Sequence, residues 1–190
     1  TVQWLRDEMK FIANAQESEV LARQANPNSH VVVVPAFTGL GAPYWDPHAR
    51  GAILGMTRDS GAAEIVRAGI ESVSFQTRDL MEAMAADMKV AGLESPNALR
   101  VDGGMVANEW FAQNLSDIIG RPVERPVITE TTVLGAAYLA GLQVGFYDSL
   151  TGISKNWQCD ARFDPEMAET EQSERYGRWK DAVGRVLVQV

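Results

Sequence analysis

Residues 101–108, Val-Asp-Gly-Gly-Met-Val-Ala-Asn, constrain this chain more than any other stretch. Leu99 to Val101 read as the end of a short buried strand. The Gly103-Gly104 pair breaks it, and Trp110, Phe111, Leu115 and Ile118 then recur on one helical face. Strand, tight glycine turn and helix start let a ligand touch bare backbone and helix-terminal N–H groups. The arrangement suits a nucleotide. A glycine pair between strand and helix is also an ordinary turn, so the rest of the chain has to decide.

Along the chain, strands alternate with helices. Residues 1 to about 12 and 18–25 read as helices, the second ended by Asn26-Pro27-Asn28. Val31 to Val34 are four β-branched residues in a row, which suits a strand covered on both faces. A loop rich in Gly, Pro and aromatics follows from Pro35 to Pro47, and residues 51–56 can form another strand. From residue 62 to about 88, Val66, Ile70, Val73, Leu80, Met81 and Met84 recur at helical spacing, with Asp59 or Ser60 as the expected cap. The helix after the glycine pair stops at Gly120, with Pro122 behind it. Val123 starts a short strand, Thr131 or Thr132 caps a small-residue helix ending Leu139-Ala140-Gly141, and a last helix opens at Asp164-Pro165 and buries Tyr176, Trp179, Val183 and Val186. This order predicts an α/β layer fold.

The charge balance narrows the function. A net charge of −8 and a pI near 4.8 argue against nucleic-acid or anionic-membrane partners. Cys159 stands alone, which removes an internal disulfide and a thiolate cluster and points to a reducing, cytoplasmic setting; His30 and His48 are too few for a histidine-rich metal site. No apolar run in the chain is long enough to span a bilayer. The chain begins at Thr1 without Met, on an uncapped helical pattern, and reads as cut from a longer polypeptide.

Familiar catalytic motifs are missing. Gly39-Leu40-Gly41-Ala42-Pro43-Tyr44 begins like a dinucleotide fingerprint but has Tyr44 at the third glycine position and prolines where a helix should start. There is no Walker A loop and no Gly-x-Ser-x-Gly elbow. In the aromatic loop, Trp45 is expected to plug the chain onto the core.

Several stretches together resemble the C-terminal region of the FGGY family of carbohydrate kinases, in particular its branch that phosphorylates glycerol. They are Gln3-Trp4-Leu5-Arg6-Asp7-Glu8-Met9, the loop from Pro35 to Pro47, Arg100-Val101-Asp102-Gly103-Gly104, and residues 131–141. Residues 51–71 fit a further family pattern, with Gly69 where a slightly larger residue is usual, a departure costing about 1 kcal/mol in a helix.

The resemblance implies one lobe of an actin-like, hexokinase-like (ribonuclease H-like) ATPase, with residues 1–190 as the C-terminal nucleotide-binding domain. Carried onto matching positions, it implies that Gln3, Gly104 and Asn108 contact ATP: Gly104 through bare backbone, Asn108 from the first helical turn with a donor and an acceptor, and Gln3 from the facing helix. It assigns this chain no catalytic residue and no metal ligand. The polyol site, the catalytic Asp, the Mg²⁺ ligands and the phosphate-binding hairpins are expected in an N-terminal part of the same polypeptide, which forms a homo-oligomer as a full-length protein. The isolated chain is then expected to be inactive. Three alternatives stand beside this reading: another FGGY sugar or polyol kinase, a non-enzymatic actin-like ATP-dependent clamp, and a stand-alone interaction module.

Overall fold

The computed structural model describes residues 1–188. Two short helices, α1 (Val2–Asp7) and α2 (Glu17–Gln24), precede an antiparallel pair, β1 (Val32–Val34) and β2 (Ala52–Leu54). The long α3 (Ala62–Val90) leads to β3 (Leu99–Arg100), and a 3-10 turn, Gly104–Ala107, feeds α4 (Glu109–Ile119). Then come β4 (Val123–Pro126), α5 (Thr131–Gln143), α6 (Leu150–Ser154), β5 (Cys159–Phe163) and α7 (Glu169–Val186). The second sheet has the order β3-β4-β5, with β3 parallel and β5 antiparallel to β4. The α/β class expected from the sequence is the class observed.

Two apolar clusters hold the layers together, and β1 stands between them. Val31 and Val33 face a cluster with Leu5, Ile70, Phe111 and Leu115. Val32 and Val34 face the other, with Phe75, Ile118 and Trp179. That is why four β-branched residues follow one another: both faces of the strand are covered. Gly69 has its own packing reason, because a Cβ there would lie 3.0 Å from Leu5 Cδ1 and 3.2 Å from Thr1 Cγ2. Its absence lets α1 rest on α3.

A polar knot joins α3, α7 and the aromatic loop. The buried Asp79 carboxylate accepts from the Tyr44 hydroxyl at 2.8 Å, the Tyr176 hydroxyl at 2.6 Å and Trp179 Nε1 at 2.7 Å. Lys180 Nζ lies 3.5 Å from the same carboxylate and donates to the Tyr44 oxygen at 3.0 Å. Tyr44 is therefore the residue that fastens the loop. Trp45, expected to do so, is 75% exposed, with its backbone in the left-handed region at φ +52°. The loop turns between Tyr44 and Asp46, and the residue at its apex points away from the protein.

Several boundaries differ from expectation for identifiable reasons. The first helix ends at Asp7 rather than near Ile12, because Lys10 takes φ +56° and the Phe11 N–H returns to the Leu5 carbonyl; Ile12 is still buried, so the apolar period outlasts the helix. Neither Asp59 nor Ser60 caps α3. Gly61 is the cap residue, with its N–H on Glu64 Oε2 at 2.8 Å, while Ser60 Oγ accepts from the Thr57 N–H. At α5 the cap position is Glu130, without a side-chain bond, rather than a threonine. Asp164-Pro165 lies in a loop before α7, not in its first turn; the neighbouring Glu166 and Met167 N–H groups bond to Asp117 Oδ1. Strand β5 and helix α6 add elements that the pattern did not reveal.

Candidate nucleotide-binding cleft

The turn after β3 is built on Gly103, whose φ of +85° is one that side chains other than glycine adopt only at a cost. Its N–H bonds to the Thr129 carbonyl at 3.1 Å, and the Arg125 guanidinium donates to the Val106 carbonyl at 3.0 Å while pairing with Asp160. The turn is thus braced from β4 and its flanks. Gly104 differs from its neighbour: its φ is ordinary, and a Cβ added there meets nothing within 4 Å. The space beside it is open.

That space is a cleft of about 510 Å³ between α1, residues 15–19, α3 and the turn. Val2, Ile70, Val73 and Met105 give it an apolar surface, while Gln3, Gln16, Glu19 and Asn108 supply polar groups. Arg6 stands at the edge, turned onto Asp7 at 2.6 Å, a contact that draws the Asp7 carboxyl below its ordinary range. An apolar surface with a few polar groups is suited to a flat heteroaromatic ring. Gln3, from the start of the chain, and Gly104 and Asn108, from the turn after β3, line this one cleft.

Asn108 is placed differently from the expectation. The intervening 3-10 turn delays α4, so Asn108 is its N-cap rather than a first-turn residue. Its Oδ1 accepts from the Phe111 N–H at 2.8 Å, and its Nδ2 donates to Ser18 Oγ at 3.4 Å. The acceptor side of the amide is engaged by the helix. Asn followed by an acidic first-turn residue, here Glu109, is the sequence signal for such a cap. Ser18 was not singled out by the sequence; on α2 it shows only as one small residue in a polar stretch.

The fold recurs in solved structures. Glycerol kinase from Plasmodium falciparum, solved with ADP, superposes with a TM-score of 0.85 at 38% identity over 100% of this chain and 37% of its own. A ligand-bound xylulose kinase from Lactobacillus acidophilus shares the fold at a TM-score of 0.77 and 24% identity, over 97% of this chain. The architecture is that of an actin- and hexokinase-like ATPase lobe. Residues 1–144 match the C-terminal domain of the FGGY family of carbohydrate kinases, and the chain belongs to that family.

Among its curated relatives, glycerol kinase from Alcanivorax borkumensis is 57% identical over 185 residues, and glycerol kinase 1 from Pseudomonas aeruginosa is 58% identical over the same length. Each alignment covers 97% of this chain but only 36% of the relative. Among the described residues no helix is long and apolar enough to cross a membrane.

Proposed function

We propose that residues 1–190 are the C-terminal nucleotide-binding domain of a kinase that transfers the γ-phosphoryl group of ATP to glycerol, giving glycerol 3-phosphate and ADP. The cleft carries this reading. Gln3, Gly104 and Asn108, matched to the family's nucleotide contacts from sequence, converge on one apolar-floored cavity. ADP in the Plasmodium falciparum enzyme supports the ligand. Glycerol as substrate is supported by relatives 57–58% identical, against 24% for the xylulose kinase.

The rest of the machinery is assigned to the remainder of a longer protein. Mg²⁺ is assigned to that remainder, as the family resemblance implies, and no step is routed through it. Phosphoryl transfer needs nucleophile, base, metal and phosphate held in register. Helix α5 supports a larger body: it has no charged residue and no buried one, and Val133 and Leu139 on it are exposed, as are Val127, Ile128 and Phe146 in the flanking segments. A run of exposed apolar residues of this kind is normally covered by another part of a protein. We assign it to the part carrying the polyol site.

A coupled ADP-release assay tests the reading. The full-length protein is expected to turn over ATP in a glycerol-dependent way, and purified residues 1–190 are not. Glycerol-stimulated turnover by the isolated chain, above a contaminant control, overturns the domain assignment; a full-length protein that prefers a pentose or tetritol overturns the substrate.

A further inference from the structure

Building on the nucleotide reading of the cleft, we propose that Ser18 is a positioning residue that fixes the Asn108 amide so that it presents a donor to a purine ring nitrogen. Two contacts set the amide: one fixes which end is the oxygen, and the other holds the nitrogen end. The Phe111 N–H only donates, so the atom it meets at 2.8 Å is the Asn108 oxygen. On the other side, the Ser18 hydroxyl lies 2.5 Å from the Ala15 carbonyl, which only accepts. The single hydroxyl proton is committed to Ala15, and the Ser18 oxygen is left to accept from Asn108 Nδ2 at 3.4 Å.

A flipped amide would set NH₂ against the Phe111 N–H, which repels, and would draw the Ser18 hydroxyl proton away from Ala15; Ser18 is only 3% exposed, which leaves little water to compensate. The chain Asn108 to Ser18 to Ala15 therefore runs in one direction. Nδ2 has two protons, and Ser18 takes one. The other is available to the cleft that both residues line. A base that takes this proton does so through an acceptor atom, and on a purine ring that means an unprotonated nitrogen.

The experiment uses the full-length protein and calorimetric titration with ADP and its 1-deaza, 3-deaza and 7-deaza analogues, in which one ring nitrogen at a time becomes C–H. In the wild type, one analogue is expected to bind about three- to tenfold more weakly than ADP, the range of one hydrogen bond. In Ser18→Ala, ADP weakens by a similar factor while the penalty for that same analogue falls below about twofold. Ser18→Thr, which keeps the hydroxyl, is expected to restore both values. Asn108→Asp keeps a cap acceptor but has no NH₂, and is expected to erase the same discrimination even if Ser18→Ala proves unstable. A Ser18→Ala protein that weakens ADP and all analogues equally overturns the positioning role. A wild type that binds ADP without penalising any analogue overturns the donor contact. A wild type that does not bind ADP at all removes the nucleotide reading itself.

Discussion

Two of the glycine-bearing segments that follow strands in this chain end in opposite states. After β1, the loop from Pro35 to Pro47 is closed on itself and on the protein. Tyr44 bonds to Asp79, and Asp46 accepts from the His48, Ala49 and Val188 N–H groups. After β3, the turn is braced at its edges, by Gly103 on Thr129 and Asn108 on Phe111, and Gly104 is left facing open space. Glycine content alone does not separate a knot from a ligand site. The separation comes from whether the protein's own groups fill the space beside the backbone.

The largest expected effect tests whether the two regions are independent. Asp79→Ala takes an acceptor from Tyr44, Tyr176 and Trp179 at once; Tyr176 keeps Glu82 Oε2 at 3.0 Å, but the buried Trp179 N–H is left unpaired. Breaking such a network costs about 3–5 kcal/mol, so melting should fall by many degrees. ADP affinity, measured below the transition, should stay within about twofold, or about 0.4 kcal/mol. A parallel loss of affinity would show that the knot shapes the cleft.

Gly104→Val is the mirror experiment. With ordinary φ and nothing within 4 Å, the new side chain has room in the protein and projects where a nucleotide would lie. Melting without nucleotide should not change, while ADP affinity should drop at least about tenfold, or 1.4 kcal/mol. Gly103→Val should do the reverse in part, since φ +85° makes a branched residue costly by about 1–2 kcal/mol. An early-melting Gly104→Val protein that binds ADP normally would make the turn purely structural.

Alkaline pH should loosen the knot before it touches the cleft. Burial and the adjacent Asp79 push the Tyr44 hydroxyl up, and burial, Asp79 and Glu82 push Tyr176 up further. Burial opposes the Lys180 charge, but Tyr44 and Asp79 outweigh it and its pKa is raised as well. All three groups have folded values above their unfolded ones. Their stabilisation is complete below about pH 10, where the unfolded groups begin to titrate, and is lost as pH rises through the folded values. Thermal melts from pH 8 to 11 should decline at the top of that range, and less steeply in Tyr176→Phe. A flat profile would mean that the knot contributes little.

Local chemistry explains which parts of this were legible in the sequence. The turn and the end of α4 were, because Gly103, Gly120 and Pro122 punctuate a strong helical period. Asn108 was seen but misplaced, since the four-residue 3-10 turn moved the helix start past it. Strand β5 is mixed in polarity and mostly exposed, so it reads as a loop until it pairs with β4. The Asp79 knot was invisible for a different reason: its partners lie 35 to 101 residues away, and no local pattern encodes that meeting. The same limit applies to the cleft, where family resemblance rather than periodicity joined Gln3 to Asn108.

The smallest effect separates the two readings of the aromatic loop. Trp45 adopts φ +52° between Tyr44 and Asp46, both of which are fastened to the protein. A bulky residue in that region is unfavourable relative to glycine, and a side chain 75% exposed has little burial to offset it. Trp45→Gly therefore removes strain at the apex while leaving both anchors in place. Glycine's greater freedom in the unfolded chain offsets part of that gain, by about 0.5–1 kcal/mol. The two terms nearly cancel, so the melting temperature should stay within a few degrees of the wild type, with ADP affinity unchanged. If Trp45 instead plugged the loop onto the core, the substitution would empty an aromatic site and cost about 3–5 kcal/mol. A loss of that size would bring Trp45 back into the knot, and the loop would then be held by its tip as well as by Tyr44 and Asp46.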